Sequence, residues 1–161
     1  MKKFLVVAAT IASFAAGESF AQSKTATVSL TVNSSITFTK VRDLNLGTVV
    51  VGVTSDSVDA VTGGANAAYF TLLGSASTPV EIQWASLGAL SDGNGHTINW
   101  TPYVAGNNSG TQASATYLTS GNFYSTNASG NYYYWVGASA SLSPTQSAGS
   151  YSGSVQLTVN Y

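Results

Sequence analysis

His96 is the only histidine of the chain and lies in Ser91-Asp92-Gly93-Asn94-Gly95-His96. A Ser-His-Asp hydrolase needs an imidazole to take the serine proton, so this residue is the one candidate general base. Its setting reads as a tight turn, for which Asp-Gly and Asn-Gly are natural, and a solvated histidine is the expectation. Zinc generally takes three or four nitrogen, sulfur or carboxylate ligands, and one histidine with no cysteine is a poor start. Asp92, Asn94 and nearby carbonyls could offer oxygens to calcium, but a calcium loop demands more carboxylates than this segment carries. Paired acids for glycoside cleavage would have to come from Asp43, Asp56, Asp59, Glu81 and Asp92. Asp56 and Asp59 are close in sequence, yet both sit beside turn signals. The expectation is therefore no enzyme, no metal site and no cofactor.

The aromatic residues carry more information. Trp84, Trp100, Tyr103, Phe123, Tyr124 and the run Tyr132-Tyr133-Tyr134-Trp135 exceed what a small core requires. In an extended strand Tyr132 and Tyr134 point to one face, Tyr133 and Trp135 to the other. One set then points away from the core or into a second contact. The run is a candidate contact site, with the rings meeting another subunit, filling plain core, or stacking on sugars.

Those residues must be held by strands, because apolar residues recur at a period of two in short runs rich in Val, Thr, Tyr and Ile. The pattern predicts strands over 26–32, 35–40, 46–51, 58–61, 68–73, 80–84, 97–104, 113–118, 132–142 and 151–161. Gly- and Asn-rich turns separate them, and many short strands with turns between them indicate an all-β sandwich. The stretch 106–130 is Ser/Thr/Asn/Gly-rich and reads as a long hairpin or exposed loop.

At the N-terminus Lys2 and Lys3 precede an uncharged apolar run from Phe4 to Ala16, and Ser19-Phe20-Ala21 supplies small residues at the two key cleavage positions. This predicts a signal peptide over 1–21 and export, with the apolar run too short to span a membrane as an anchor. About 140 residues remain, enough for one domain. Their charges are Lys24, Lys40 and Arg42 against Asp43, Asp56, Asp59, Glu81 and Asp92. Three dispersed cations make no footprint for nucleic acid or anionic lipid. Charged residues are 7% of the chain, far below the usual quarter or so, which suits a neutral polar surface packed against copies of itself. With no cysteine the fold relies on its core and hydrogen bonds.

Both ends of the mature chain alternate cleanly. Ala26, Val28, Leu30 and Val32 share one face of an N-terminal strand, and Val155, Leu157, Val159 and Tyr161 share one face of the last. The first could be an ordinary strand of its own sandwich. The sharper reading makes it a donor, inserted in a neighbour that lacks a strand, since strand addition satisfies an open edge and pockets take alternate side chains. The chain divides accordingly into 1–21, an extension or donor strand over 22–33, and a sandwich over 34–161.

Leu44-Asn45-Leu46-Gly47 with a Val run, Ala68-Tyr69-Phe70-Thr71-Leu72-Leu73-Gly74, Val136-Gly137-Ala138, and Gly149-Ser150-Tyr151-Ser152-Gly153 leading to Val159-Asn160-Tyr161 occur in one order. This pattern resembles a family of bacterial surface proteins of unassigned function with an LNFG-like start and a GxYSG ending, similar in turn to chaperone-usher pilins and spore-coat-U-like pilus subunits. The resemblance implies an incomplete immunoglobulin-like sandwich, a periplasmic chaperone that lends the missing strand, an outer-membrane usher and polymerisation by donor-strand exchange. It implies that 26–32 is the donor and that 155–161 is the edge gripped by chaperone or neighbouring subunit. The chain departs from many pilins in lacking a disulfide and in carrying the tyrosine often found next to last as residue 161.

The functional expectation is a structural subunit of a surface fibre whose partners are copies of itself. The alternative is a monomeric secreted carbohydrate-binding or adhesive sandwich.

Overall fold

A computed structural model describes Ser29 and residues 35–161. The expected signal peptide over 1–21 and the expected donor residues Ala26, Val28, Leu30 and Val32 lie outside the described residues. Alternation of apolar and polar residues builds β1 (Thr37–Arg42), β2 (Ser55–Val58), β3 (Ala68–Leu73), β4 (Pro79–Ser86), β5 (Leu90–Ser91) and β6 (Thr97–Asn107). It continues through β7 (Thr116–Tyr117), β8 (Asn122–Ser125), β9 (Asn131–Ser141) and β10 (Val155–Asn160), with two short 3-10 turns at Gly64–Asn66 and Gln112–Ser114. Among the described residues no helix is long and apolar enough to cross a membrane.

The strands form two antiparallel sheets. The first runs β1-β3-β9-β6-β5, with β2 also on β9 and β7 also on β6; the second runs β10-β4-β8. Taking β1, β3, β4, β6, β9 and β10 as strands A to F, the first sheet has the order A-B-E-D and the second pairs C with F. That is the immunoglobulin-like arrangement, in which the second sheet carries a further strand G beside F. Among the described residues, the edge of β10 away from β4 pairs with no strand.

The core lies between the sheets. Leu72, Val104, Tyr134 and Val136 from the first face Val80 and Ile82 from the second, all essentially inaccessible to solvent. Burying each such side chain contributes about 1.5–3 kcal/mol. The long central strand β9 has nearly all of Tyr132 to Ala138 buried, on both faces, because a second cluster covers its outside.

That second cluster exists because strand B is split. β2 and β3 both pair with β9, Val58 opposite Ala138 and Ala68 opposite Val136. The chain between them bulges outward, so the strand expected over 58–61 lies instead at Ser55–Val58. Asp59 stops it: its carboxylate accepts the N–H groups of Val61 at 2.7 Å and Thr62 at 2.8 Å, a local alternative to ladder bonds. The fully buried Ala60 then sits on Ala105, Ala115 and Trp135. Gly137 makes this approach close, since a Cβ there would collide with the backbone at Val58 and Ala60 and with the Tyr103 ring.

Four other expected elements differ. The run 46–51 forms no strand, although its β-branched residues favour one. Within β1 the register slips between Lys40 and Arg42, and beyond the strand Asn45 turns the chain away by accepting the Gly47 N–H at 2.9 Å. The strand expected over 113–118 shrinks to a 3-10 turn and the two residues of β7, and the loop expected over 106–130 contains β8 on the edge of β4. The last strand starts at Val155, not residue 151, because Ser152 is engaged elsewhere: it exchanges backbone hydrogen bonds with Ser91 at 2.8 and 2.9 Å.

Candidate functional site

The acidic turn is self-contained. The Asp92 carboxylate accepts the N–H of Asn94 at 2.8 Å and of His96 at 3.1 Å, and meets His96 Nδ1 at 2.6 Å. The His96 contact first, then these backbone donors, hold the Asp92 carboxyl below its ordinary value of 3.8. Among the described residues no serine, threonine or tyrosine hydroxyl is bonded to the His96 ring, and no group of three or more His, Cys, Asp or Glu side chains could hold a metal. The carboxyl of Asp59 is likewise committed to structure. Tyr117 donates its hydroxyl to it at 2.5 Å, which lowers the Asp59 pKa and, with burial, pushes that of Tyr117 up to about 12.

The aromatic run divides by alternation, but the second contact is made by the chain itself. Tyr132 and Tyr134 enter the inter-sheet core, with Tyr134 edge-on to Phe38 at 5.8 Å. Burial pushes the Tyr132 hydroxyl up to about 12 and that of Tyr134 higher still; the Tyr134 hydroxyl has no hydrogen-bond partner among the described residues. On the other face Trp135 is buried, stacked on Tyr69 at 5.4 Å, and Tyr133 is half-buried beside it. Arg42 closes this side, donating to the carbonyls of Ala67 at 2.8 Å and Gly64 at 2.7 Å above the Tyr69 ring. The sequence marked the run but could not reveal its cover, which comes from Ala60, Ala105 and Ala115, residues too small to signal it.

The unusual surface is at β10. Its ladder with β4 runs from Val155 opposite Ser86 to Asn160 opposite Glu81. Val155, Leu157 and Val159 face the core but remain only half-buried, whereas Val80 and Ile82 on the neighbouring β4 are sealed. Across the sandwich β1 is the outer strand of the first sheet, and its inward Phe38 is half-buried too. Apolar surface is thus left uncovered along β10. Tyr161, expected to share that inward face, instead lies past the strand, where its hydroxyl accepts the Ser75 N–H at 2.7 Å and ties β10 to the β3–β4 connection.

At the Val155 end this open side deepens into a cavity of about 800 Å³, walled by residues 43–53 and 146–155 with Phe70, Ile98 and Trp100 among its other lining residues. The motifs noted in the sequence build these walls. Leu44 packs on the core and Asn45 donates its N–H to the Asn66 carbonyl at 2.9 Å. Tyr151 donates its hydroxyl to the Ser147 carbonyl and accepts from the Gln146 amide, both at 2.8 Å. Gly153 allows the chain to cross Leu90, where a Cβ would strike the leucine side chain.

Residues 10–161 match a family described as a domain of unknown function, DUF4402. The chain belongs to that family. No curated protein matches it. The matched span of this DUF4402 chain takes in the segment 22–33, the Leu44–Gly47 and Gly149–Gly153 motifs and all ten strands of the described residues. The wall-building segments are therefore part of the family domain and not appendages to it.

Proposed function

We propose that this DUF4402 chain is an exported structural subunit of a bacterial surface fibre, joined to its neighbour by donor-strand complementation. The observation that carries the reading is the edge of β10: backbone groups without a strand partner among the described residues, above a row of half-buried Val155, Leu157 and Val159. Such an edge is a template for an added strand. The segment 26–32 of another copy has the required chemistry, an uncharged extended run with Ala26, Val28, Leu30 and Val32 on one face. Burying Val28, Leu30 and Val32 contributes about 1.5–3 kcal/mol each, against the ordering of the strand. Ladder hydrogen bonds and the newly covered face of β10 add to this.

The low charge of the sequence suits packing of like copies. A periplasmic chaperone and an outer-membrane usher belong to this reading as the partners that would keep the β10 edge covered before assembly. The carbohydrate-binding alternative drew on exposed rings in Tyr132–Trp135, and those rings are buried or half-buried.

Removal of residues 22–33 behind an intact signal peptide tests the proposal in the native host. The expected product is secreted but does not polymerise, and fibres indistinguishable from wild type would overturn the reading.

A further inference from the structure

The run Thr48-Val49-Val50-Val51 has strong strand chemistry, yet among the described residues it pairs with no strand. Val49, Val50 and Val51 are 38%, 74% and 62% exposed, which is costly for adjacent valines on a protein surface. Among the described residues the only backbone hydrogen bond within the stretch 48–53 is the long one from Val53 N–H to the Val50 carbonyl, at 3.3 Å. Glycines bracket the run: Gly47 has φ +87° and Gly52 φ +101°, both left-handed, and an added Cβ at either would meet nothing within 4 Å. Crowding therefore does not call for these glycines, whereas the backbone conformation does. The run lines the same cavity as Ser154 and Val155, at the start of the open edge of β10.

We infer that Thr48–Val51 is a second strand-pairing surface, which folds as a β-strand against the segment that docks on β10. The occupant is the stretch 26–32 of another copy, so this inference rests on the proposed function and adds to it a partner for the other edge of the incoming strand. The incoming segment is then hydrogen-bonded on both sides, and neither of its own edges is left open. The two glycines act as the hinges about which the run swings from irregular to extended. The exposed valines become the cover of a closed joint. Thr48–Val51 thus acts after docking, and β10 provides the first contact.

The absence of native cysteine makes disulfide trapping clean. Full-length mature chains carrying Ser29→Cys or Thr31→Cys are co-assembled with chains carrying Thr158→Cys, or a single cysteine replacing Thr48, Val49, Val50 or Val51 in turn. The fibres are then oxidised, and covalent dimers are scored on denaturing non-reducing gels. Disulfides form only where Cβ atoms come within about 4.5 Å. Dimers are expected with Thr158→Cys, and with the scanned run in yields that alternate from one position to the next, the period of a strand. Amide exchange over 48–51 should slow by at least about tenfold on assembly. Dimers with Thr158→Cys accompanied by uniformly absent or non-alternating trapping at 48–51 would overturn this inference and leave the donor-strand reading standing. No trapping at Thr158→Cys or at any scanned position would overturn both.

Discussion

Leu157→Ala separates the two states of the open edge. In the free subunit Leu157 is only half-buried on the inner face of β10, so truncation should cost about half of the 2–5 kcal/mol typical of a core leucine, or about 1–2.5 kcal/mol. Once a strand covers that face, the full cost applies. The difference, about 1–2.5 kcal/mol, falls on the joint and corresponds to a 5- to 60-fold weaker strand affinity, approximately. Urea unfolding of the mature chain reads the first quantity. Equilibrium binding of a fluorescent peptide of residues 22–33 to chains that lack their own copy of that segment, so that nothing competes for the edge, reads the second. Ile82→Val serves as the control, because Ile82 is already sealed; it should lower subunit stability by about 0.5–1.5 kcal/mol and leave peptide affinity unchanged. Equal peptide affinity for Leu157→Ala and wild type would refute the reasoning, as would a subunit loss as large as that of a fully buried leucine.

Gly137→Ala should destabilise the sandwich by about 1–3 kcal/mol in the same unfolding experiment, since its Cβ collides with the backbone at Val58 and Ala60. Tyr134→Phe removes a buried hydroxyl without a partner among the described residues, and should leave stability unchanged or raise it by up to about 1 kcal/mol. Asp92 has a folded pKa below its ordinary 3.8. Its contribution is therefore present above pH 3.8 and lost as pH falls through the lower folded value. Exchange of the Asn94 and His96 amides should accelerate in that acidic window, an acceleration that Asp92→Asn, neutral throughout, should abolish.

Strands whose two faces meet different surroundings were legible from residue types. The expected 68–73 coincides with β3, and the expected 80–84, 97–104 and 132–142 fall on β4, β6 and β9. The run 46–51 failed because propensity describes a residue's fit to a sheet and not the presence of a neighbouring strand. β8 was hidden because only Phe123 and Tyr124 mark it within a polar stretch, and it exists through its pairing with Val80 and Glu81 of β4. The cover over Trp135 was illegible for a different reason: it depends on Asp59 capturing two backbone N–H groups and on small residues at 60, 105 and 115. Alternation assigned Tyr161 to the inner face of β10, but beyond the last ladder pair the side chain is free to reach Ser75.

The central claim is that the open side of this sandwich is a joint between copies. Surface-sheared material from the native host, viewed by electron microscopy and run without heating on denaturing gels, tests it most directly. Filaments that contain the chain and a regular ladder of detergent-resistant oligomers, collapsing to one band on heating, are the predicted result. A single small species in both experiments would contradict the account.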